Sequence, residues 1–222
     1  ELKLGPWEDL LERVLKPQLQ CRIAVVGKYM HCRDAYKSIY EALSHAGMAH
    51  WCKVTIDSIE AEELETSCER LQSVDGILVP GGFGNRGIAG KLAACRYARE
   101  NDIPLLGICL GLQCVVIEFA RNVLGWQDAD STEFNPGSTH PVIDLLPEQR
   151  GITELGGSMR LGGCPCRLIP GSKAAQAYSC LEISERHRHR YEFNNQFREA
   201  LSSAGLQISG SSPNGELVEV VE

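Results

Sequence analysis

The sequence has no long hydrophobic run and no excess of positive charge. No apolar stretch approaches the roughly 20 residues that a helix needs to cross a bilayer, so we expect no membrane segment and a cytoplasmic protein. Lysine and arginine number 22 against 29 acidic residues, and the net charge of -7 argues against nucleic acid as a partner. No low-complexity tract or internal repeat occurs. With 43% hydrophobic residues, the chain is expected to form a globular domain with a sizeable core.

The ten cysteines lack the spacing of a disulfide framework or of a zinc site. Only Cys164 and Cys166 lie close together, and no second pair follows at the spacing that zinc ligands need. The other eight are scattered, several of them inside helix or strand patterns. We therefore expect reduced thiols, as in a cytosolic protein, and no metal site.

Apolar strand patterns alternate with amphipathic helix patterns in the first 125 residues. Strands are predicted at 21–26, 51–57, 76–79 and 103–108, and helices at 34–47, 64–71, 88–101 and 110–124. This alternation predicts an α/β fold with a doubly wound, mainly parallel central sheet and flanking helices. After residue 141, short strands at 142–145, 159–161, 166–169 and 188–193 predict an added antiparallel edge. A helix over 195–204 and two terminal strands complete the prediction.

Both ends of the sequence suggest a piece of a longer polypeptide. The chain begins with Glu1 rather than methionine, and residues 216–222 alternate like a strand without a turn or cap. An apolar stripe at helical spacing precedes Pro17. We therefore expect residues 1–19 to form a lead-in helix or linker, and residues 20–222 to form one domain truncated at its C-terminus.

The most distinctive stretch is Gly107-Ile108-Cys109-Leu110-Gly111-Leu112-Gln113, between a predicted strand and a predicted helix. Glycines two residues either side of Cys109 allow a sharp turn that would expose the thiol, as in the nucleophile elbow of α/β-hydrolases. A helix N-terminus favours the thiolate, and the Leu110 N–H could stabilise an oxyanion. The same pattern also fits a small buried cysteine without chemistry.

A second glycine-rich turn, Pro80-Gly81-Gly82-Phe83-Gly84, follows the buried strand at 76–79. It is not a phosphate-binding loop, because Asn85 stands where a glycine is needed before Gly90-Lys91 and Leu92 replaces Ser or Thr. Its glycines let backbone N–H groups approach a ligand closely. In a parallel sheet, both turns would lie at the carboxyl ends of strands, where such folds place their sites. We expect an oxyanion-hole donor in this turn.

A cysteine nucleophile normally needs a histidine base and a carboxylate that orients it. His187 and His189 alternate with three arginines, so a strand there would place histidines and arginines on opposite faces. His189 with Glu192 would complete a triad by pattern alone, whereas a solvated charged strand is the simpler interpretation. Two imidazoles without a third ligand nearby do not indicate a metal site.

Together these motifs resemble the triad-type (class I) glutamine amidotransferases, and within them the C-terminal glutaminase domain of the CTP synthase family. The resemblance runs from about residue 20 to the end of the chain. Besides the two turns, it is carried by Arg22-Ile23-Ala24-Val25-Val26-Gly27-Lys28-Tyr29, Asp130-Ser131-Thr132-Glu133-Phe134, Gly156-Gly157-Ser158-Met159-Arg160-Leu161-Gly162, and the segment from Arg186 to Glu192.

The resemblance implies that Cys109 attacks the side-chain amide of L-glutamine, giving a thioester and ammonia. Gly82 and Leu110 match the oxyanion-hole positions. The glutamine-binding positions implied are Gly82, Phe83, Leu110, Gly111, Leu112, Gln113, Glu133, Arg190 and Tyr191. Within that set, Glu133 would bind the ammonium group of glutamine and Arg190 its carboxylate, which agrees with the chemistry of these side chains.

The resemblance also implies partners outside this chain. Ammonia would pass to an upstream synthetase domain that aminates UTP phosphorylated by ATP, a ligase reaction of pyrimidine biosynthesis. ATP and Mg²⁺ are expected only in that domain, with no cofactor in this one. GTP as activator and a homotetramer held mainly by the synthetase domains are implied as well.

The sequence departs from the family at the rest of the triad. In the family, a His-Pro-Glu motif follows the segment that resembles residues 216–222, and no His-x-Glu occurs in this sequence. We therefore expect the chain to hold the nucleophile and the glutamine pocket without the triad His and Glu. Two alternatives stay open: another cysteine hydrolase of similar fold, such as a γ-glutamyl hydrolase or related peptidase, and a glutamine-binding module without turnover.

Overall fold

The computed structural model describes residues 4–146, 149 and 159–222. The chain divides into two compact units, Glu1–Pro80 with Arg86–Leu106 and Gly81–Asn85 with Gly107–Glu222. The helices are α1 (Gly5–Leu15), α2 (Lys37–Ala49), α3 (Ile88–Glu100), α4 (Leu110–Asn122), α5 (Lys173–Tyr178) and α6 (Arg198–Ser203). The strands are β1 (Leu19–Gly27), β2 (Cys52–Glu60), β3 (Gly76–Val79), β4 (Leu105–Gly107), β5 (Asp130–Ser131), β6 (Pro141–Leu145), β7 (Arg160–Leu168), β8 (Glu182–His189), β9 (Tyr191–Phe193), β10 (Ile208–Ser211) and β11 (Val218–Val221).

The first unit is built on a four-stranded sheet in the order β2-β1-β3-β4. Strand β1 pairs in parallel with β2 and with β3, as the alternation of strand and helix patterns predicts. Val25 and Val26 of β1 are fully buried, and every residue of β3 is buried. Continuous apolar strands of this kind are covered on both faces, and each buried valine contributes roughly 1.5–3 kcal/mol.

Helix α1 lies at the start of the first unit and has no buried residue. Pro6 occupies its first turn, where a missing N–H costs nothing, and the helix ends before Pro17. Arg13 contacts α2 by donating to the Ala49 carbonyl oxygen at 3.3 Å. The predicted helix is present, and the domain boundary at residue 19 stays a prediction.

The second unit contains two small sheets. One has the order β11-β10-β7-β8, and its neighbouring strands pair antiparallel. The other has the order β5-β6-β9. The predicted antiparallel strands are therefore confirmed as a group. Helix α4 packs in this unit against β5, β6 and β9.

Two strand boundaries in this unit differ from the prediction. The segments 159–161 and 166–169 were expected as separate strands, but β7 runs through Gly162 and Gly163 because its ladder with β8 is continuous from Arg160 to Arg167. The segment 188–193 was expected as one strand, but the chain bends at Arg190. Strand β8 before the bend pairs with β7, and β9 after it pairs with β6 in the other sheet.

Smaller differences concern short helices. The helix expected over 64–71 is replaced by two 3₁₀ segments, Ala61–Glu65 and Glu69–Leu71. Helix α5 was not predicted; Ser172 caps it by accepting a hydrogen bond from the Ala175 N–H. No helix in the described part of the chain is long and apolar enough to cross a membrane.

Candidate active site

Cys109 occupies the turn between β4 and α4 as the N-cap residue of the helix. Its backbone φ is 56°, a value that is costly for any residue other than glycine and that marks functional turns. A Cβ on Gly107 would stand 2.6 Å from the Gly111 carbonyl carbon. Position 107 therefore requires glycine, because the first turn of α4 packs directly against the end of β4. The sharp turn predicted from the two glycines is present.

A cavity of about 280 Å³ opens at this turn in the second unit. It is lined by Gly82, Phe83, Cys109, Gln113, Glu133, Met159, His189, Arg190 and Tyr191. This volume lies just below the usual range for drug-sized ligands, so the cavity suits a molecule of amino-acid size. Seven predicted site residues therefore meet in one place. Leu110, Gly111 and Leu112, which were also predicted, do not line it; the first two are buried in the first turn of α4.

The cavity wall is held by contacts between segments far apart in the chain. The Gln113 side-chain amide donates to the Tyr191 carbonyl oxygen at 3.1 Å, which ties α4 to β9. The Gly84 N–H donates to Glu133 Oε1 at 3.4 Å, which ties the glycine-rich turn to the segment after β5. Burial and the nearby Glu133 carboxylate raise the pKa of Tyr191, so its hydroxyl remains protonated.

Besides the thiol, the described lining of the cavity includes an acidic and a basic side chain. Glu133 offers a carboxylate and Arg190 a guanidinium in the same lining. A free amino acid presents an ammonium group and a carboxylate, which these two groups complement, since guanidinium binds carboxylates in a bidentate way. A residue inside a peptide has neither a free ammonium group nor a free carboxylate, so it would leave Glu133 and Arg190 without complementary charges.

Phe83 lines the same cavity as the thiol, and the backbone of β8 approaches the sulfur. The Arg188 guanidinium stands over the exposed Phe83 ring at 5.8 Å from its centroid. The Cys109 Sγ lies 4.0 Å from the Arg188 carbonyl oxygen. Gly81 is also close, since a Cβ built on it would lie 3.4 Å from the Cys109 Cβ. The nucleophile candidate is thus bordered by the glycine-rich turn, as the sequence predicts, and also by β8.

His189 lines the cavity, but both of its ring nitrogens are engaged elsewhere. Nδ1 lies 3.2 Å from the Tyr191 carbonyl oxygen and 3.3 Å from Glu192 Oε1, and Nε2 lies 2.7 Å from His187 Nδ1. Burial, with His187 and Arg160 nearby, lowers the pKa of His189 to about 4. An efficient general base needs a pKa near the working pH, so this imidazole is poorly suited to activate Cys109.

Sequence reasoning missed two features of this region. Met159 lines the cavity, but no local pattern in the sequence distinguishes it as a site residue. Residues 156–158, which precede it, lie outside the described part of the chain. Arg160 forms buried ion pairs with Glu192 and Glu219 behind the cavity lining. Within the described residues, no group of three His, Cys, Asp or Glu side chains could hold a metal ion.

The geometry agrees with what comparison with known proteins shows. A sequence profile described as "Glutamine amidotransferase class-I" matches residues 31–222. The chain belongs to the class-I glutamine amidotransferases. In this amidotransferase, the matched region includes both glycine-rich turns and every residue that lines the cavity.

Several relatives of this amidotransferase are CTP synthases. That of Fibrobacter succinogenes is 61% identical over 218 residues, which are 97% of this chain and 39% of that protein. That of Carboxydothermus hydrogenoformans is 55% identical over 224 residues, which are 100% of this chain and 42% of that protein. The chain therefore spans about two fifths of the length of these curated relatives.

A solved structure is similar to this chain along most of the length of both. The glutaminase domain of Trypanosoma brucei CTPS with bound acivicin superposes with a TM-score of 0.84 at 42% sequence identity. The match covers 91% of this chain and 80% of that one. The predicted resemblance to the glutaminase domain of CTP synthases and the predicted fold class are both confirmed.

Proposed function

We propose that this chain is the glutaminase domain of a CTP synthase and that it hydrolyses L-glutamine through a thioester on Cys109. The observation that carries the proposal is that a thiol on a strained turn lines the same cavity as Glu133 and Arg190. The family match favours this function over a γ-glutamyl hydrolase or a related peptidase.

The reaction would use these groups in two steps. The Cys109 thiolate attacks the side-chain amide carbon of glutamine, and the C–N bond breaks as the nitrogen takes a proton and leaves as ammonia. Water then attacks the thioester carbon, which releases glutamate and returns the thiol. Gly82 and Leu110 would donate their backbone N–H groups to the oxyanion in each step. Gln113, Tyr191, Phe83 and the first turn of α4 would shape the pocket around the amino acid.

The general base of this reaction is proposed to lie outside these 222 residues. His189 has both nitrogens engaged and a lowered pKa, and no His-x-Glu occurs in the sequence. We therefore expect this chain alone to bind glutamine and to turn it over slowly. Loss of a triad member typically removes several orders of magnitude of rate but leaves binding.

The partners are proposed on the similarity to CTP synthases. Ammonia would pass to a synthetase domain of the same cytoplasmic enzyme, which aminates UTP with ATP and Mg²⁺ in pyrimidine biosynthesis. GTP would act as activator of a homotetramer. This domain itself would need no cofactor.

One labelling experiment tests the proposal. A glutamine-like diazo-ketone is added to the intact polypeptide and to residues 1–222 alone, and adducts are mapped by mass spectrometry. We expect rapid labelling of Cys109 in the intact polypeptide, weak labelling of the shorter chain, and none in a Cys109→Ala variant. Equal, rapid labelling of both chains would place a base within these 222 residues and make His189 the candidate.

Protection against labelling separates the proposal from the other cysteine hydrolases. L-glutamine is expected to protect Cys109, whereas N-acetyl-L-glutamine, which lacks the ammonium group, is expected to protect it much less. Equal protection by both would contradict the assigned role of Glu133 and would favour a hydrolase of γ-glutamyl or peptide substrates.

A further inference from the structure

Arg160 is the centre of a buried charged cluster that the reaction does not use. Its guanidinium donates to Glu192 Oε1 at 3.1 Å and to Glu219 Oε1 at 2.7 Å. The side chain of Arg160 is 15% exposed, and those of both carboxylates are 4% exposed. The two carboxylates belong to β9 and β11, so one side chain of β7 connects three strands. Removing one partner from such a buried pair leaves an uncompensated charge, so loss of the Arg160 guanidinium is expected to disturb both carboxylates.

The cluster spans the point where the chain passes from one sheet to the other. The backbone of Arg160 pairs with His189, the last residue of β8, and its side chain binds Glu192 in the middle of β9. Only Arg190 and Tyr191 lie between these two attachments. Both of these residues line the cavity.

We propose that Arg160 is a positioning residue that clamps the bend at Arg190 and so presents Arg190 and Tyr191 to the amino acid in the cavity. The proposal rests on the proposed function for the identity of the ligand. The two attachments stand on either side of the bend, so one residue, through its backbone and its side chain, sets the angle between β8 and β9. Burial raises the pKa of Glu192 to about 7 against the pull of Arg160, so loss of the guanidinium would leave this carboxyl without the partner that favours its charged form.

The strand also offers a matched control. Arg167 lies on the same β7 and pairs with Glu182 of β8 at 3.3 Å, but these side chains are 62% and 77% exposed. Exposed ion pairs of this kind contribute little to the stability of the fold. Arg167→Met therefore removes the same charge from the same strand without touching the bend.

The test compares two reagents on Cys109 in the intact polypeptide. For Arg160→Met, we expect labelling by the diazo-ketone, which needs the amino-acid pocket, to slow by about tenfold or more, since small displacements of binding groups have large effects. Labelling by iodoacetamide, which needs only the thiol, is expected to change by less than about threefold. Arg160→Lys keeps the charge but loses the two-pronged geometry, so its diazo-ketone rate should fall between wild type and Arg160→Met. Arg167→Met should match wild type with both reagents.

Amide hydrogen exchange gives a readout that does not depend on glutamine chemistry. Exchange across residues 190–191 is expected to accelerate in Arg160→Met and Arg160→Lys and to stay unchanged in Arg167→Met. Should Arg160→Met fail to fold, Arg160→Lys carries both measurements. Wild-type exchange and wild-type diazo-ketone labelling in the lysine variant would overturn the proposal, as would an equal slowing of both reagents. A wild-type protein that does not react with the diazo-ketone would contradict the proposed function, while the exchange data would still decide on Arg160.

Discussion

The central strands of the first unit and the strands around the cavity in the second unit bury different kinds of side chain. In β1 and β3, the buried run consists of apolar residues such as Val25, Val26 and Leu78. In the second unit, Arg160, Glu192 and Glu219 are buried together with partly buried His187 and His189. Apolar burial stabilises a fold directly, whereas a buried ion pair loses much of its attraction to desolvation.

The difference indicates that the apolar strands mainly stabilise the fold, whereas the buried charged groups mainly fix the positions of the residues around the cavity. Apolar contacts are individually weak and non-directional, so they favour close packing without fixing the orientation of one particular group. Charged hydrogen bonds such as those of Arg160 are directional and fix the groups that they join. The charged cluster stands directly behind Arg190 and Tyr191, where the position of a binding group matters most. Substitutions can therefore be designed to affect one property without the other.

The largest effect on function is expected from the thiol itself. Cys109→Ala should reduce glutamine hydrolysis in the intact polypeptide by at least about a thousandfold, because Cys109 is the cysteine in the described lining of the cavity and the thioester would form on its sulfur. Its melting temperature should not fall, since the alanine removes only the sulfur atom. Ammonia release and calorimetry measure the two properties. Residual hydrolysis within about tenfold of wild type would rule out Cys109 as the nucleophile.

The opposite behaviour is expected in the apolar strands. Leu78→Ala in β3 should lower the free energy of unfolding by about 2–5 kcal/mol, the usual cost of a cavity in a packed core. Leu19→Ala in β1 is the control. Because Leu19 is 61% exposed, its substitution should lower the free energy of unfolding only slightly. Urea denaturation followed by circular dichroism measures both. Similar losses for the two variants would mean that β3 is not the packed interior described above.

A smaller functional effect is expected from the acidic side of the cavity. Glu133→Gln keeps the size of the side chain and an oxygen to accept from the Gly84 N–H, but removes the charge that would meet the ammonium group. We expect KM for glutamine to rise by roughly 10- to 100-fold with a smaller change in kcat, as for loss of a binding interaction. Steady-state kinetics over a wide glutamine range give the two constants separately. An unchanged KM would remove Glu133 from the binding site.

The smallest effect concerns His189 and depends on pH. Its pKa falls from an ordinary value near 6.5 to about 4 in the folded chain, so the unfolded chain binds more protons between these values. As pH falls from 6.5 towards 4, the lowered pKa of His189 therefore reduces the free energy of unfolding. In His189→Gln, the glutamine at this position cannot titrate. Between pH 7 and pH 5, the free energy of unfolding of this variant should therefore fall by about 1–2 kcal/mol less than that of wild type.

The matched control for this measurement is Arg167→Met, since the Arg167 side chain is 62% exposed and lies on the strand next to β8. Its stability should follow the wild-type curve across the same pH range. The raised pKa of Glu192 acts in the opposite direction as pH falls, and its main cause, burial, is retained in both variants. Parallel curves for His189→Gln and wild type would contradict the lowered pKa of His189.

Much of the fold could be predicted because its signals are local. The apolar run of β3, the periodicity of α3 and α4, and the glycines around Cys109 each lie within a few residues of the feature that they specify. The position of Cys109 beside Gly82, Glu133 and Arg190 followed from the two turns together with the family resemblance. The sequence pattern of β8, with histidines and arginines on opposite faces, was also visible in advance, and Arg186 and Arg188 are exposed.

Other features depend on residues far apart in the chain. Arg160 lies 32 positions from Glu192 and 59 from Glu219, so no local pattern shows that they meet. Gly162 and Gly163 suggested a break in β7, but the long ladder with β8 outweighs the local preference of glycine. The bend at Arg190 likewise follows from pairing with two different sheets.

The unusual backbone angle at Cys109 has a consequence for engineering. Glycine is the residue that adopts such an angle without penalty, so Cys109→Gly should make the protein more resistant to heat while it abolishes the nucleophile. A library screened for thermal tolerance alone would therefore enrich inactive clones at this codon, and any such screen needs a parallel test for ammonia release.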